Sequence, residues 1–421
     1  MAAANEISPL RRLVRSVKRY WLKNPVRREL IHAAQRRVLD AGGASPERVI
    51  VFLVPGIDMV NGGIMSIVSL ADETARLSRI HGAQVYVCTV PGEPPLLRFT
   101  RFRNERTLLD FRLLLERIAP GTPVLLHIPE IFVASFVKES PGLLPLLAPL
   151  EVEYNVLLQN IDSVPARQEV EGLKRLGPVS FTAAHKSYAN AYAGGFCGCP
   201  MWHLSVWISP EQYDYRPFQA KKDLVVVSPD HHPERDRILA LLRSALPDFE
   251  FVVVHKLTYQ EYKALVASAK FALTFGEGLD GYFVETIFSG GIGCTVYNSR
   301  FFTEEYRSLP CLYRNWQELA QQLPADIARL NREEAFTAPH RLQFQRLADD
   351  YSYDSYRGNL ERFYRERFPR PEAEERSGQS GQSEQSEQSG QGEQGEQSGQ
   401  SEQSEQSEQS GAAGVRAAVA R

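Results

Sequence analysis

Several things are scarce in this chain. No uninterrupted apolar run approaches the roughly 20 residues that a membrane-spanning helix needs, and the N-terminus has no secretory-leader pattern. A cytoplasmic protein is therefore expected. Cysteine is sparse, five in 421 residues. An odd number without a repeating framework argues against a secreted disulfide scaffold and fits a reducing compartment. Charge of one sign is not in excess: 48 Lys and Arg against 51 Asp and Glu leave a net charge of −3. Nothing polyelectrolytic points to a nucleic-acid partner. Neither a G-x-S-x-G elbow nor a Walker A loop occurs, so the serine-hydrolase and P-loop readings lack their motifs.

What is present is ordinary for a globular protein, with 43% hydrophobic and 24% charged residues, and long enough for two packed domains. The two ends differ from the middle. The stretch "RSGQSGQSEQSEQSGQGEQGEQSGQSEQSEQSEQSG", residues 376 to 411, repeats in three-residue units. It has no apolar side chains to offset backbone entropy, so residues 369–421 are expected to be a disordered low-complexity tail. It is not collagen, since proline is absent and glycine does not fill every third place. An interaction role and a tolerated repeat expansion both stay open for it.

Residues 1–47 form a basic N-terminal extension. Read as a helix, Leu10, Leu13, Val14, Val17 and Trp21 share one face, while Arg11, Arg12, Arg15, Lys18 and Arg19 fan around the other. An amphipathic basic helix over residues 9–28 makes an anionic membrane surface a candidate partner, at about 1 kcal/mol per basic residue near it. Peripheral attachment to the inner face of the plasma membrane is the corresponding location. The competing reading is a helix packed on the protein's own body.

Between these ends, strand and helix signals alternate. "RVIVFLVPG", "AQVYVCTV", "PVLLHIP", "VEYNVLLQNID" and "GPVSFTAAH" read as strands, with helices predicted at "GGIMSIVSLADETARLS" and "LLDFRLLLERI". The pattern restarts at "KKDLVVVSPD" and runs through "FEFVVVH", "KFALTF" and "GCTVYN", separated by helical segments. Alternation of this kind implies parallel sheets covered on both faces. The expected fold is α/β with two Rossmann-like domains, 48–205 and 206–345. A helix at 346–368 returns to the first. Ligands of such sheets sit beyond the carboxyl ends of the strands, so the expected site is the cleft between the halves.

The stretch "FGEGLDGYFVETIFSGG", residues 275 to 291, carries the most chemistry. Glutamates are abundant, so the spacing of Glu277 and Glu285 alone says little. Their context says more. Glu277 follows the strand "KFALTF" at its carboxyl end. Gly276, Gly278 and Gly281 let the backbone approach a ligand, and Asp280 is placed to cap the next helix. The free N–H groups of that helix N-terminus favour an anion. A carboxylate beside an anion site must hold something else. A ribose diol suits Glu285, and sugar hydroxyls suit Glu277. A nucleoside diphosphate sugar meets all three features.

These residues resemble the E-x7-E motif of group 1 glycosyltransferases, which are retaining enzymes of GT-B fold. "YKALVASAKFALTFGEGLDGYFVETIFSGG" is similar to that family's run of helix, strand, loop and helix. "VPGIDMVNGGIMSIVSLADE" is similar to the glycine loop that opens its first domain. The resemblance implies two facing Rossmann-like domains and transfer of a sugar from a nucleotide sugar to a saccharide, lipid-linked or protein acceptor. Polysaccharide or glycolipid assembly is the setting it suggests. Glu277 would hold the transferred sugar and Glu285 the ribose. Gly278, Leu279, Asp280 and Gly281 would line sugar or phosphate, and Gly62 and Gly63 the donor phosphate or the acceptor. His127, near the end of a first-half strand, would be a catalytic histidine; its plainer reading is a satisfied residue at the sheet edge. His185, in "FTAAHKSY", is the weaker candidate of the two.

The chain also departs from the family. Asp280 stands where a second glycine is usual, and "SPDHHPERDR" replaces the segment that usually brings an Arg and a Lys to the diphosphate. Arg235 and Lys256 are candidate substitutes, because a helix N-terminus supplies only about 0.3–1 kcal/mol per anion, up to ~2 when buried. No Asp-x-Asp pair occurs, so no metal and no other cofactor is expected. Cys197, Cys199 and His203 lack zinc-site spacing and read as loop residues; His231 and His232 read as loop polarity. Two alternatives to transfer are a nucleotide-sugar epimerase of the same fold and a non-catalytic, membrane-associated scaffold.

Overall fold

The computed structural model describes residues 24–42, 46–59, 61–205 and 213–368. The tail over 369–421 lies outside them, as does most of the basic stretch expected at a membrane. The first sheet grows from β1 (Val49–Val54), six apolar residues in a row and all buried. Alternate side chains of a strand point to opposite faces. Val49, Val51 and Leu53 therefore enter one core, with α3 (Val133–Glu139) and α4 (Arg167–Lys174). Ile50, Phe52 and Val54 enter the other, with α2 (Gly62–Arg76). Only a strand covered on both sides can be this uniformly apolar.

The sheet is completed by β2 (Gln84–Thr89), β3 (Leu108–Asp110), β4 (Pro123–Pro129), β5 (Glu151–Leu158), β6 (Val179–Ala183) and β7 (Met201–His203). Its order is β3-β2-β1-β4-β5-β6-β7, and every pairing is parallel. The segment "LLDFRLLLERI", expected to be one helix, divides. Leu108–Asp110 pair with Val87–Thr89, and only Phe111–Leu115 are helical. Asp110 makes the break: its side chain accepts from the Arg112 backbone N–H at 3.0 Å and starts the helix there.

The second sheet contains β8 (Lys222–Val227), β9 (Glu250–Val253), β10 (Ala269–Leu273), β11 (Ile292–Val296) and β12 (Leu312–Tyr313). Its order is β12-β11-β10-β8-β9, again all parallel. One face is covered by α6 (Arg235–Ala245) and α9 (Trp316–Leu330), the other by α7 (Tyr259–Ser268) and α8 (Gly281–Phe288). Both sheets reverse winding direction, between β1 and β4 in the first and between β8 and β10 in the second. Such reversals open crevices at the carboxyl ends of the strands.

Two late helices join the halves. α10 (Glu333–Tyr351) packs Leu347 with Phe283 and Ile287 of the second half. α11 (Tyr353–Arg367) returns to the first half, where Tyr356, Leu360, Phe363 and Tyr364 bury beside Ile50 and Phe52. Their spacing of four, three and one keeps them on one helical stripe. Each fully buried side chain of this size contributes about 1.5–3 kcal/mol. Polar ties cross at the same place. Lys186, the first residue of α5 (Lys186–Ala191), donates to Asp350 of α10 at 2.6 Å. Asp350 also accepts from Tyr306 Oη at 2.9 Å. Arg300 pairs with Asp162 at 2.6 Å.

Candidate active site between the two sheets

The first-half wall starts at α2. Asn61 caps that helix, its side chain accepting from the Ile64 N–H at 3.3 Å. Gly62 and Gly63 form the first turn at the cavity wall. A Cβ on Gly63 would lie 3.0 Å from Gln159 Oε1, so the glycine admits that side chain. Gln159, just past β5, donates to Gly63 O at 3.1 Å and to Ser66 Oγ. Glu130, the residue after β4, accepts from the backbone N–H groups of Gln159 at 3.2 Å and Asn160 at 3.0 Å. Burial pushes its carboxyl up, and those two N–H groups take back part of the shift.

The second-half wall is the loop after β10. Phe275 N–H donates to Ser228 Oγ at 3.0 Å, and Thr274 Oγ1 donates to Gly278 O at 3.3 Å. Gly278 has φ +83°, and a Cβ there would sit 2.9 Å from a Phe302 ring carbon. Glycine is the residue this conformation admits without strain. Asp280 caps α8, accepting from the Phe283 N–H at 3.0 Å. Burial pushes its carboxyl up, against the pull of that N–H and reinforced by Asp230 and Glu277. α8 is apolar on nearly every side, and it carries Glu285 into the interior at 3% exposure.

Glu285 is therefore a buried carboxylate. Lys263 of α7 stands 3.8 Å from its Oε2 and 4.4 Å from the ring centre of Tyr213. No hydrogen bond reaches Oε2 at ordinary length. Burial raises its pKa, while Lys263 and Tyr262 work the other way. Glu277 sits on the loop with its Oε2 3.2 Å from Nε2 of His185. Between the walls lies a cavity of about 410 Å³, within the usual size range of small-molecule sites.

Of the residues singled out from sequence, Gly62, Gly63, Glu277, Leu279, Asp280, Gly281 and Glu285 line this one cavity. Gly278 shapes the loop behind it. Three others lie elsewhere. His127 is a correction: it precedes the end of β4 by two residues and is wholly buried under α11. Its Nδ1 meets Asn155 Oδ1 at 3.0 Å, its Nε2 meets Tyr364 Oη at 3.3 Å, and its ring stacks on Phe52 at 4.3 Å. Burial pushes its pKa down to about 3, so it is a neutral core residue. Arg235 is turned back on its own loop, donating to the carbonyls of Pro229 at 3.1 Å and Asp230 at 2.9 Å. Lys256 is exposed in the loop after the edge strand β9. Among the described residues no Arg or Lys lines the cavity.

The remaining histidines and cysteines divide. His232 packs between Phe275 and Trp316, with ring centres 5.8 and 4.2 Å away, and His231 is exposed. Among the described residues no group of three His, Cys, Asp or Glu could hold a metal ion, and that includes Cys197, Cys199 and His203. His185 is different: it lines the cavity at 5% exposure. Glu130 was not anticipated, although its position mirrors Glu277: a carboxylate just past the carboxyl end of a strand at a winding reversal.

No family model matches the chain, and no curated protein does. Among solved structures it is similar, over 76% of its length, to sucrose-phosphate synthase from Thermosynechococcus elongatus (11% identity, 99% of that chain, TM-score 0.45). It is likewise similar to α,α-trehalose 6-phosphate synthase from Burkholderia multivorans (12% identity, 76% and 98% covered, TM-score 0.45). The same holds for UDP-GlcNAc 2-epimerase from Neisseria meningitidis bound to UDP-GlcNAc (12% identity, 76% and 98% covered, TM-score 0.45).

Proposed function

We propose that the cleft binds a nucleotide sugar and that the protein transfers the sugar to an acceptor hydroxyl, retaining anomeric configuration and using no metal. The observation that carries this reading is the pairing of Glu277 and Glu285 on one cavity, with Glu285 buried beside Lys263, 3.8 Å from its Oε2. A carboxylate buried to this degree has little water to accept from, so hydroxyl donors brought by a ligand count for more. A ribose diol offers it two hydroxyl donors, and Glu277 remains for hydroxyls of the transferred sugar. The diphosphate then lies toward the N-terminus of α8. Burial raises the carboxyls of Glu130, Asp280 and Glu285. The chain's contribution to the reaction is orientation and stabilisation of the leaving group.

Thermal-shift screening with UDP, GDP, ADP and CMP, then donor hydrolysis with the best ligand, tests the reading. Glu277→Ala and Glu285→Ala are each expected to lower turnover by at least about 100-fold while the fold persists. Parental turnover in both variants refutes it. Anomeric analysis of the product tests retention. The lack of Arg and Lys among the described residues of the cavity wall favours a second reading, a non-catalytic nucleotide-sugar binder. Stabilisation by a nucleotide without turnover on any acceptor would select it.

A membrane contact through residues 9–28 belongs to the same proposal. Among the described residues no helix is long and apolar enough to span a bilayer. The helix Pro25–Ala41 (α1) exposes Val26 at 67% and Leu30 at 68%. Flotation with anionic liposomes, lost on removal of residues 1–28, is the expected result; flotation of neither protein refutes it.

A further inference from the structure

Lys263 lies in α7, a helix whose start is pinned by Thr258. Thr258 Oγ1 accepts from the Glu261 N–H at 3.3 Å, and the Glu261 carboxylate accepts from the Thr258 N–H at 2.7 Å. This reciprocal cap fixes where the helix begins. The Lys263 ammonium stands 3.8 Å from Glu285 Oε2 of α8, and the two side chains are 12% and 3% exposed. Aromatic rings box the ammonium on other sides. It lies 4.4 Å from the ring centre of Tyr213 and 5.9 Å from that of Tyr259, and ring faces replace part of what water gives a cation. Glu285 and Tyr213 line the cavity, whereas Lys263 does not. The lysine therefore acts on a ligand in the cavity only through its neighbours.

A ribose diol presents two hydroxyl donors. An ionised carboxylate accepts both, whereas a protonated carboxyl has given one oxygen to its own proton. Burial favours the protonated form of Glu285, and Lys263 and Tyr262 pull the other way. Taking the cation out of such a pair leaves an uncompensated buried charge, which the carboxyl relieves by taking up a proton. The remaining titratable groups around the pair are tyrosines: Tyr259 and Tyr262 from α7, Tyr282 from α8 and Tyr213 from the segment before β8. Burial pushes the Tyr262 and Tyr213 hydroxyls well above their ordinary range and that of Tyr282 up to about 12. Those three stay neutral through the range in which a raised carboxyl titrates.

Resting on the nucleotide-sugar reading, we infer that Lys263 is a positioning residue of this site: its buried ammonium holds Glu285 as the carboxylate that takes the ribose diol, and so sets how well the site tells ribose from deoxyribose. The consequence is a selectivity with a lower pH limit. Glu285 is ionised above its folded pKa, so the preference for ribose is present at higher pH and is lost as pH falls through that value. Lys263 keeps the limit low; without it the limit moves up. The lysine makes no bond to the ligand and takes no part in breaking one.

The test uses the full chain with UDP-glucose, GDP-mannose and ADP-glucose and the 2′-deoxyribose form of each, titrated calorimetrically between about pH 5.5 and 9. The ratio of the two affinities isolates Glu285, because the other lining acids, Glu130, Glu277 and Asp280, meet both ligands alike. The parent should prefer the ribose form by about 10–100-fold near pH 7. Lys263→Met should bring that preference within about 3-fold near pH 7 and regain it as pH rises, while Lys263→Arg keeps it. In a Glu285→Gln background, whose amide cannot ionise, adding Lys263→Met should leave the ratio unchanged. That neutral pair keeps the test decisive should Lys263→Met alone not fold. A Lys263→Met protein with the parental ratio at every pH overturns this inference, and so does a ratio that moves in the Glu285→Gln background. Either result leaves the nucleotide-sugar reading standing. A parent that binds ribose and deoxyribose forms equally overturns the inference together with the ribose role of Glu285. Failure of all three nucleotide sugars to bind at any pH overturns both the inference and the reading it rests on.

Discussion

Gly278→Ala is the substitution that most directly tests how the loop holds Glu277 and Asp280. Gly278 has φ +83°, a conformation costing an L-residue about 1–2 kcal/mol. The added Cβ would lie 2.9 Å from Phe302 Cε2 and 3.2 Å from Thr295 Oγ1. Both neighbours are 1% exposed and lie in packed interior, so neither has room to retreat. Overpacking of this kind costs about 1–3 kcal/mol, which brings the expected loss to about 2–5 kcal/mol. The control is Gly62→Ala. No atom lies within 4 Å of a Cβ built there, and Gly62 is the first residue of α2. Alanine in a helix is favoured over glycine by about 0.5–1 kcal/mol, so this variant should be as stable as the parent or more so. Its methyl group intrudes on the cavity wall, so nucleotide-sugar affinity should fall. Urea denaturation followed by circular dichroism gives the stabilities, and calorimetric titration the affinities. A Gly278→Ala protein within about 0.5 kcal/mol of the parent would refute the account of why this loop has its shape.

Three further outcomes follow from packing. His127→Leu should lose about 1–3 kcal/mol of stability through the lost bonds to Asn155 and Tyr364, with nucleotide-sugar affinity unchanged; lost affinity in a folded variant would return His127 to the site. Burial depresses the pKa of His127 to about 3, so its contribution is present above the ordinary imidazole value near 6.5 and is lost as pH falls toward 3. Acid unfolding of His127→Leu should therefore be less steep across that window. Asp350→Ala, which strands Lys186 and the Tyr306 hydroxyl, should cost about 2–4 kcal/mol in denaturant titration; a loss within about 0.5 kcal/mol would mean the tie between the halves is solvated. Phe363→Ala should cost about 3–5 kcal/mol and speed amide exchange in β1 and β4 more than in β10, because α11 covers the first sheet; equal acceleration in both sheets would contradict that placement.

The fold was legible because its signal is local. Runs such as "VIVFLV" and "PVLLHIP" are too apolar for a one-sided sheet and too short for spanning helices, and each became a central strand. The short edge strands β3, β7 and β12 were not anticipated, since two or three residues carry no periodicity. The loop at Glu277 was legible for a similar reason: glycines, a capping aspartate and an apolar helical run are all written within 17 residues. His127 and His185 were not separable in the same way. Each lies at or near the end of a first-half strand, and nothing in either neighbourhood says which faces the cleft.

What the chain order determined by itself is therefore the sequence of elements, the two-sheet class and the acidic loop at the end of β10. These follow from side-chain periodicity and backbone conformation within one short segment. The tertiary structure alone decided which groups meet. It buried His127 under a helix more than 200 residues further on, turned Arg235 back on its own loop, and brought His185 within 3.2 Å of Glu277. The contact of His185 with Glu277 depends on how two independently wound sheets face each other, and no local pattern encodes the angle at which they do.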